Sequence, residues 1–218
     1  MRIYIKIYSK NKTIPFDHQH LLTGTIHKWL GWNEEHGNVS LYSFSRLEGA
    51  TVTTNGLLLE KESSFFFSSY DSALSKKIIK GIQADNSLFN DLTVDEIMIQ
   101  ENPDLSNRSN FYVASPIFIK RKVGEKLEHI RYTDIRANDF LIETLQTKMK
   151  IAGIIDPSLS IRFDLSSANV GTKMIRYNGV QNRANWCPVI IEGTAEAKLF
   201  AWNVGLGNST GIGFGAIK

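Results

Sequence analysis

Residues 2–8 read Arg-Ile-Tyr-Ile-Lys-Ile-Tyr, so that Ile3, Ile5 and Ile7 alternate against Arg2, Tyr4, Lys6 and Tyr8. A period of two marks a strand with one buried face. What comes next decides the fold class. After Pro15, Asp17 stands where a helix cap would, and Leu21, Leu22, Ile26, Trp29 and Leu30 fall on one side of a helix that Gly31 closes. Strand-like runs follow at Val39 to Leu47, Gly56 to Glu60 and Ser64 to Tyr70, the first two reading as a hairpin. Asp71 then opens a second helix whose buried face is Ala73, Leu74, Ile78, Ile79 and Ile82, before another strand at Thr93 to Gln100. The order is β-α-β-β-α-β with one extra hairpin strand.

The stretch Pro103 to Asn110 is rich in turn formers and places a domain boundary there, giving residues 1–107 and 108–218. Beyond it the pattern repeats. Tyr112 to Lys122 reads as a strand and Arg136 to Ile151 as a helix. Leu159 to Leu165, Lys173 to Tyr177 and Pro188 to Glu192 read as strands, Ala195 to Val204 as a short helix and Phe214 to Ile217 as a closing strand. The repeat is one of architecture, since the halves share no visible sequence. The expected fold is α+β: two tandem ferredoxin-like (RRM-like) β-α-β-β-α-β domains, each an antiparallel sheet with two helices on one face, ending in a glycine-rich loop. A single irregular α+β domain stays open as the alternative.

With 218 residues, 42% apolar and 22% charged, the chain can bury a core, which excludes disorder and coiled coil. No apolar run approaches the roughly 20 residues needed to cross a bilayer, and the alternating start is no signal peptide. A soluble, cytoplasmic protein is expected, without a membrane partner. The lone Cys187 can form neither an intramolecular disulfide nor a thiolate zinc site. Cutting the chain near Pro116 uncovers what the net charge of +3 hides: 11 Lys and Arg against 13 Asp and Glu before it, 14 against 9 after it. The basic half favours a polyanionic partner.

Two residue types gather at opposite ends. Four of the five histidines (His18, His20, His27 and His36) lie in the first 36 residues, and five of sixteen glycines lie between Gly205 and Gly215. The glycine run reads Gly205-Leu206-Gly207-Asn208-Ser209-Thr210-Gly211-Ile212-Gly213-Phe214-Gly215. It is no dinucleotide fingerprint, because three residues leave no room for the helix that must follow. Nor does a phosphate-binding loop of the nucleotide-hydrolase kind fit, since the chain contains no Gly-Lys pair.

Gly-hydrophobic-Gly, five residues, then Gly-hydrophobic-Gly resembles the glycine-rich loop near the C-terminus of CRISPR repeat-RNA processing endoribonucleases of the repeat-associated mysterious protein superfamily. Members of that family also begin with a strand like RIYIKIY, a segment like PFDHQHLLTGTIHKWL and a short strand like SLYSFSRL, all present here in order. The resemblance implies two tandem ferredoxin-like folds, metal-independent cutting of precursor CRISPR RNA within each repeat, and an RNA-holding role for the loop through Gly205, Gly207, Asn208, Ser209, Gly213 and Gly215. Such cutting needs a base for the 2′-hydroxyl proton and an acid for the leaving 5′-oxygen, and histidine suits both.

On the helical wheel His20, Gly24, His27 and Gly31 share a face opposite the apolar one, and a mid-helix Gly24 beside two histidines suggests close packing by RNA or by the second domain. The family places an active-site residue at the helix position of His27 and a histidine in the connection that here carries His36. The resemblance therefore implies His36 and His27 as the acid–base pair, in either order. Relatives add a lysine or tyrosine at the phosphate; here Ser40 stands at that place, with Lys28 and Tyr42 nearby, and the third role stays open. A zinc site from His18, His20, His27 and His36 has poor geometry, because His18 and His20 lie about 200° apart on a helix. No metal or other cofactor is expected.

Phosphates would be neutralised by Lys120, Arg121 and Lys122 and by Lys173, Arg176 and Arg183. Trp186 and Trp202 fit core positions better than base stacking. The expected partner is CRISPR repeat RNA, with an interference complex and a homodimer as further associations the reading allows. The rival reading is a non-catalytic RNA-binding subunit of such a complex.

Overall fold

The computed structural model describes residues 1–9, 11–31 and 39–218. The alternating start is β1 (Arg2–Tyr8), with Ile3, Ile5 and Ile7 buried. A two-residue β2 (Thr13–Ile14) leads to α1 (Gln19–Leu30), which buries Leu22, Ile26, Trp29 and Leu30. The expected Asp17 cap does not form. The helix begins after His18 with no side-chain cap, and Asp17, in the preceding turn, offers its carbonyl to His20 Nδ1 at 2.8 Å.

Three strands follow, β3 (Tyr42–Phe44), β4 (Glu48–Thr53) and β5 (Gly56–Ser69). The expected hairpin between residues 39–47 and 56–60 is replaced by two pairings. β4, which the sequence reading missed, pairs with the start of β5, and β3 pairs with its end, Tyr42 opposite Ser69 and Phe44 opposite Phe67. The exposed run Glu60-Lys61-Glu62 does not split β5 as its polarity suggested; Ser63 Oγ bonds Glu60 N at 2.8 Å and Gly49 O at 2.5 Å across the irregular register. α2 (Ser72–Ala84) is capped as expected, Asp71 Oδ1 accepting from Ala73 N at 2.7 Å, and β6 (Thr93–Gln100) completes the sheet. The order β3-β5-β1-β6 is antiparallel throughout and ferredoxin-like, with Ile5 facing Phe65 on one side and Ile97 on the other.

The second unit repeats this plan with shorter strands: β7 (Asn110–Phe111), the hairpin β8 (Lys120–Val123) and β9 (Lys126–His129), α3 (Ala137–Ile151), β10 (Ser160–Phe163), the hairpin β11 (Gly171–Tyr177) and β12 (Val180–Trp186), β13 (Val189–Glu192) and α4 (Ala195–Val204). Its sheet runs β10-β13-β7, and Val113 bridges to Ile217 in the fourth position. The long strand expected from Tyr112 to Lys122 is broken at Ser115-Pro116, because proline has no N–H for a ladder; beyond it Ile117 bridges Asn185 of β12. The two domains of this ferredoxin-like pair have separate cores, one from Ile3 to Leu92 and the other from Leu105 to Ile217.

The seam between them is tied by Arg2, which is fully buried. Its guanidinium lies between the Phe66 ring at 3.8 Å and the Trp202 ring at 3.4 Å and donates to Trp202 O at 2.9 Å and Ile217 O at 2.8 Å. Trp202 is thus a core residue. Asn203 joins the same seam, accepting from Ser68 Oγ and Ser43 Oγ at 3.1 Å each.

Candidate functional site

The apolar stripe of α1 fixes which of its faces stays open. With Leu22, Ile26 and Trp29 in the core, His20 and Gly24 are exposed and His27 is half-buried. Outside its own helix turn, no atom of the described residues lies within 4 Å of the place a Gly24 Cβ would take, so the described second domain does not pack there. His18 points the other way. It is 2% exposed, stacks on Phe89 and holds Pro15 O from Nδ1 at 3.0 Å; burial first, then the nearby Arg46, depresses its pKa. Among the described residues no cluster of three metal-binding side chains occurs.

His27 Nε2 lies 3.3 Å from the Tyr42 hydroxyl, which in turn donates to Gly211 O at 3.3 Å. A phenol has one hydrogen, so with that hydrogen on Gly211 the contact is completed by His27 Nε2–H donating to the Tyr42 oxygen. Tyr42 is itself fixed, buried with its ring 5.3 Å from Phe67. The catalytic candidates thus divide: His27 meets Tyr42 and the glycine-rich run, while His36 lies outside the described residues. Lys28 is turned elsewhere, to Asp85 Oδ2 at 2.8 Å and Ser87 O at 2.6 Å.

The glycine-rich run is woven between the domains. Leu206 N donates to Gly215 O at 2.9 Å, Gly215 N to Pro116 O at 2.9 Å, Asn208 N to Phe118 O at 2.7 Å, and Gln19 Nε2 to Ile212 O at 2.9 Å. Gly213 shows why glycine is needed: at φ +88° its Cβ would overlap the Gln19 amide and stand 2.7 Å from Phe44 Cε2. Gly205, Gly207, Gly213 and Gly215 are buried, and Asn208 and Ser209 are half-buried. Beside them opens a cleft of about 410 Å³ lined by Ser40, Arg121, Thr144, Lys148, Ser209 and Thr210. Lys148 forms its floor, donating to Val204 O at 3.1 Å and Thr210 Oγ1 at 2.9 Å.

The six basic candidates sit on the two hairpins. Arg121 is built into the fold, donating to Phe140 O at 3.1 Å, Thr144 Oγ1 at 2.9 Å and Asn208 Oδ1 at 3.2 Å. Lys120, Lys122, Lys173, Arg176 and Arg183 are exposed. Lys120 and Arg183 are brought together by His129, which the sequence reading passed over: it pairs with Lys120 across β8–β9 and its Nδ1 accepts from Arg183 N at 3.2 Å. Burial, then Lys120 and Arg183, lower its pKa. Lys148 and His129 carried no sequence signal, one being a single helix residue and the other the lone histidine of its half.

The sequence model of the family described as CRISPR associated protein Cas6, C-terminal, matches residues 100–218. The chain belongs to this family. Its fold is shared over the full chain with solved structures of low identity. A structure described as "Characterization of a Cas6-related gene from Pyrococcus furiosus" is 22% identical with a TM-score of 0.85, covering 100% of this chain and 97% of that one. One described as "CRISPR associated protein Cas6" is 18% identical at 0.85, covering 100% and 98%. A third, "An RAMP protein binding different RNA substrates", is 19% identical at 0.83, covering 100% and 98%. No curated protein matches the chain. The family is the one its opening segments and glycine spacing resemble, and among the described residues no helix is long and apolar enough to cross a membrane.

Proposed function

We propose that this chain is the endoribonuclease that cuts precursor CRISPR RNA within its repeats without a metal ion, the 2′-oxygen attacking the adjacent phosphate to leave a 2′,3′-cyclic phosphate and a 5′-hydroxyl. The observation that carries the reading is the line His27–Tyr42–Gly211, which sets an imidazole on the open face of α1 against the glycine-rich run. Ser40 packs on Gly211, and in the sequence His36 stands four residues before Ser40. In this reading one imidazole takes the 2′-hydroxyl proton and the other supplies the proton of the 5′-oxygen. Residues 1–107 carry the chemistry. Residues 108–218 carry the RNA surface, with Lys120, Lys122, Lys173, Arg176 and Arg183 on phosphates and Asn208 and Ser209 the accessible polar part of the glycine-rich run.

Purified protein incubated with repeat RNA in EDTA tests this directly, with end-group analysis of the products. Cleavage that EDTA abolishes, or products with other ends, would contradict the mechanism. Single substitutions His27→Ala and His36→Ala should each slow the chemical step about 100-fold or more with RNA affinity kept. Ser40, a neutral residue where relatives place a lysine or tyrosine, favours one second reading, the non-catalytic RNA-binding subunit. Under it the double variant with His27→Ala and His36→Ala binds RNA as the parent does and the parent cleaves nothing.

A further inference from the structure

A half-buried cation with no counter-charge among the described residues stands at the seam between the domains. The main chain of Arg46 is pinned by both: Arg46 N donates to Ala114 O at 3.1 Å, and Ser45 Oγ holds Arg46 O at 2.9 Å while Ser45 N bonds Phe66 O at 3.0 Å. The guanidinium, in contrast, meets no carboxylate and no hydrogen-bond acceptor among the described residues. Burial pulls its pKa down. It stands near His18, whose pKa is lowered by burial and then by Arg46. Arg2, the other seam arginine, shows what a structural role looks like here, with two carbonyls and two aromatic faces around it. Arg46 is half-buried and its guanidinium still reaches water; a planar charged fork that meets no carboxylate among the described residues suits a phosphate arriving from solvent.

Its position says which anion. Arg46 lies two residues beyond Phe44, and Gly213 is wedged between Phe44 and Gln19, so the arginine stands where the start of α1 meets the glycine-rich run. From Gln19 to His27 the helix rises about 12 Å. Resting on the function proposed above, we propose that Arg46 binds a backbone phosphate of the RNA at the seam, upstream along α1 from the phosphate that His27 faces.

Labelled repeat RNA is titrated by fluorescence anisotropy over a series of KCl concentrations with the parent, Arg46→Met and Arg46→Lys, and the three are melted in the same buffers. Arg46→Met should bind about 10-fold more weakly at low salt, its log K against log [KCl] slope should shrink by about 0.7, one single-strand phosphate contact, and its Tm should be no lower than the parent's. Arg46→Lys should keep the slope. Parental affinity and slope in Arg46→Met overturn the proposal, as does weaker binding accompanied by a fall in Tm, which would make Arg46 a prop of the seam. A parent that binds no repeat RNA overturns the proposed function itself and this inference with it, whereas an Arg46→Met result equal to a binding parent overturns this inference alone.

Discussion

Gly24→Ala separates what α1 needs for stability from what its open face does. Gly24 is exposed in the middle of a twelve-residue helix, and beyond that helix nothing among the described residues lies within 4 Å of an added Cβ. The methyl group therefore meets no steric cost in the free protein, and the helix gains the difference between glycine and alanine, about 1 kcal/mol. For a chain of this size that is a rise in Tm of about 2–4 °C, read by thermal melts or as a shift of the urea midpoint. RNA binding should move the opposite way. If the RNA backbone lies against the bare groove between His20 and His27, a methyl group there costs about 1–3 kcal/mol of overpacking, at least a fivefold rise in Kd. A variant that melts higher and binds repeat RNA as tightly as the parent would refute RNA contact with this face. One that does not melt higher would refute the account of the helix.

Gly213→Ala should destabilise the protein by about 3 kcal/mol or more, since it combines a left-handed φ with overlap on Gln19 and Phe44; an unchanged urea midpoint would contradict the packing described. Arg2→Ala removes two charge-assisted bonds across the seam and should cost about 2–4 kcal/mol, measurable by the same denaturation. Stability should also fall below neutral pH. His18 and His129 both have pKa values depressed by folding, so between those values and about 6.5 the unfolded chain binds more protons, and the stabilisation present above 6.5 is lost as pH falls. At His18 the incoming proton must go to Nε2, which is buried without a partner. Replacing His18 by leucine should flatten the pH dependence of Tm between about pH 7 and 5, and an unaltered slope would place its source elsewhere.

The parts of the fold that were legible are those where one periodicity rules a whole element. Ile3, Ile5 and Ile7 share one buried face of β1, the stripe of α1 buries Leu22, Ile26 and Trp29, and Ala195 to Val204 matches α4 residue for residue. The failures share a cause: pairing is a long-range choice that local pattern does not record. Residues 56–60 and 64–70 form one strand because β4 and β3 occupy successive stretches of its edge, and the exposed Glu60-Lys61-Glu62 between them needed no break at all. Tyr112 to Lys122 has the composition of a strand, yet Pro116 hands the chain from Ile217 on one side to Asn185 on the other.

The site was legible in its residue types and opaque in its contacts. Spacing marked His27 and the glycines, but the glycines turn out to be the means by which a chain segment is drawn tightly between two domains. Of the run, Asn208, Ser209 and Ile212 remain partly accessible, and Asn208 Oδ1 already accepts from Lys120 N at 2.8 Å. The glycines tie stability to geometry: Gly205, Gly207, Gly211, Gly213 and Gly215 have no room for a Cβ, and Gly211 among them offers its carbonyl to Tyr42, which meets His27. A substitution at Gly213 would then disturb the imidazole without touching it. Loss of cleavage in such a variant is informative only beside its melting temperature, whereas Tyr42→Phe deletes the hydroxyl between His27 and Gly211 and leaves the packed ring on Phe67 in place. If cleavage depends on how His27 is held, Tyr42→Phe should lower the rate about tenfold, the worth of one such hydrogen bond, with Tm within a few degrees of the parent. An unchanged rate would mean that His27 is oriented by something other than this line.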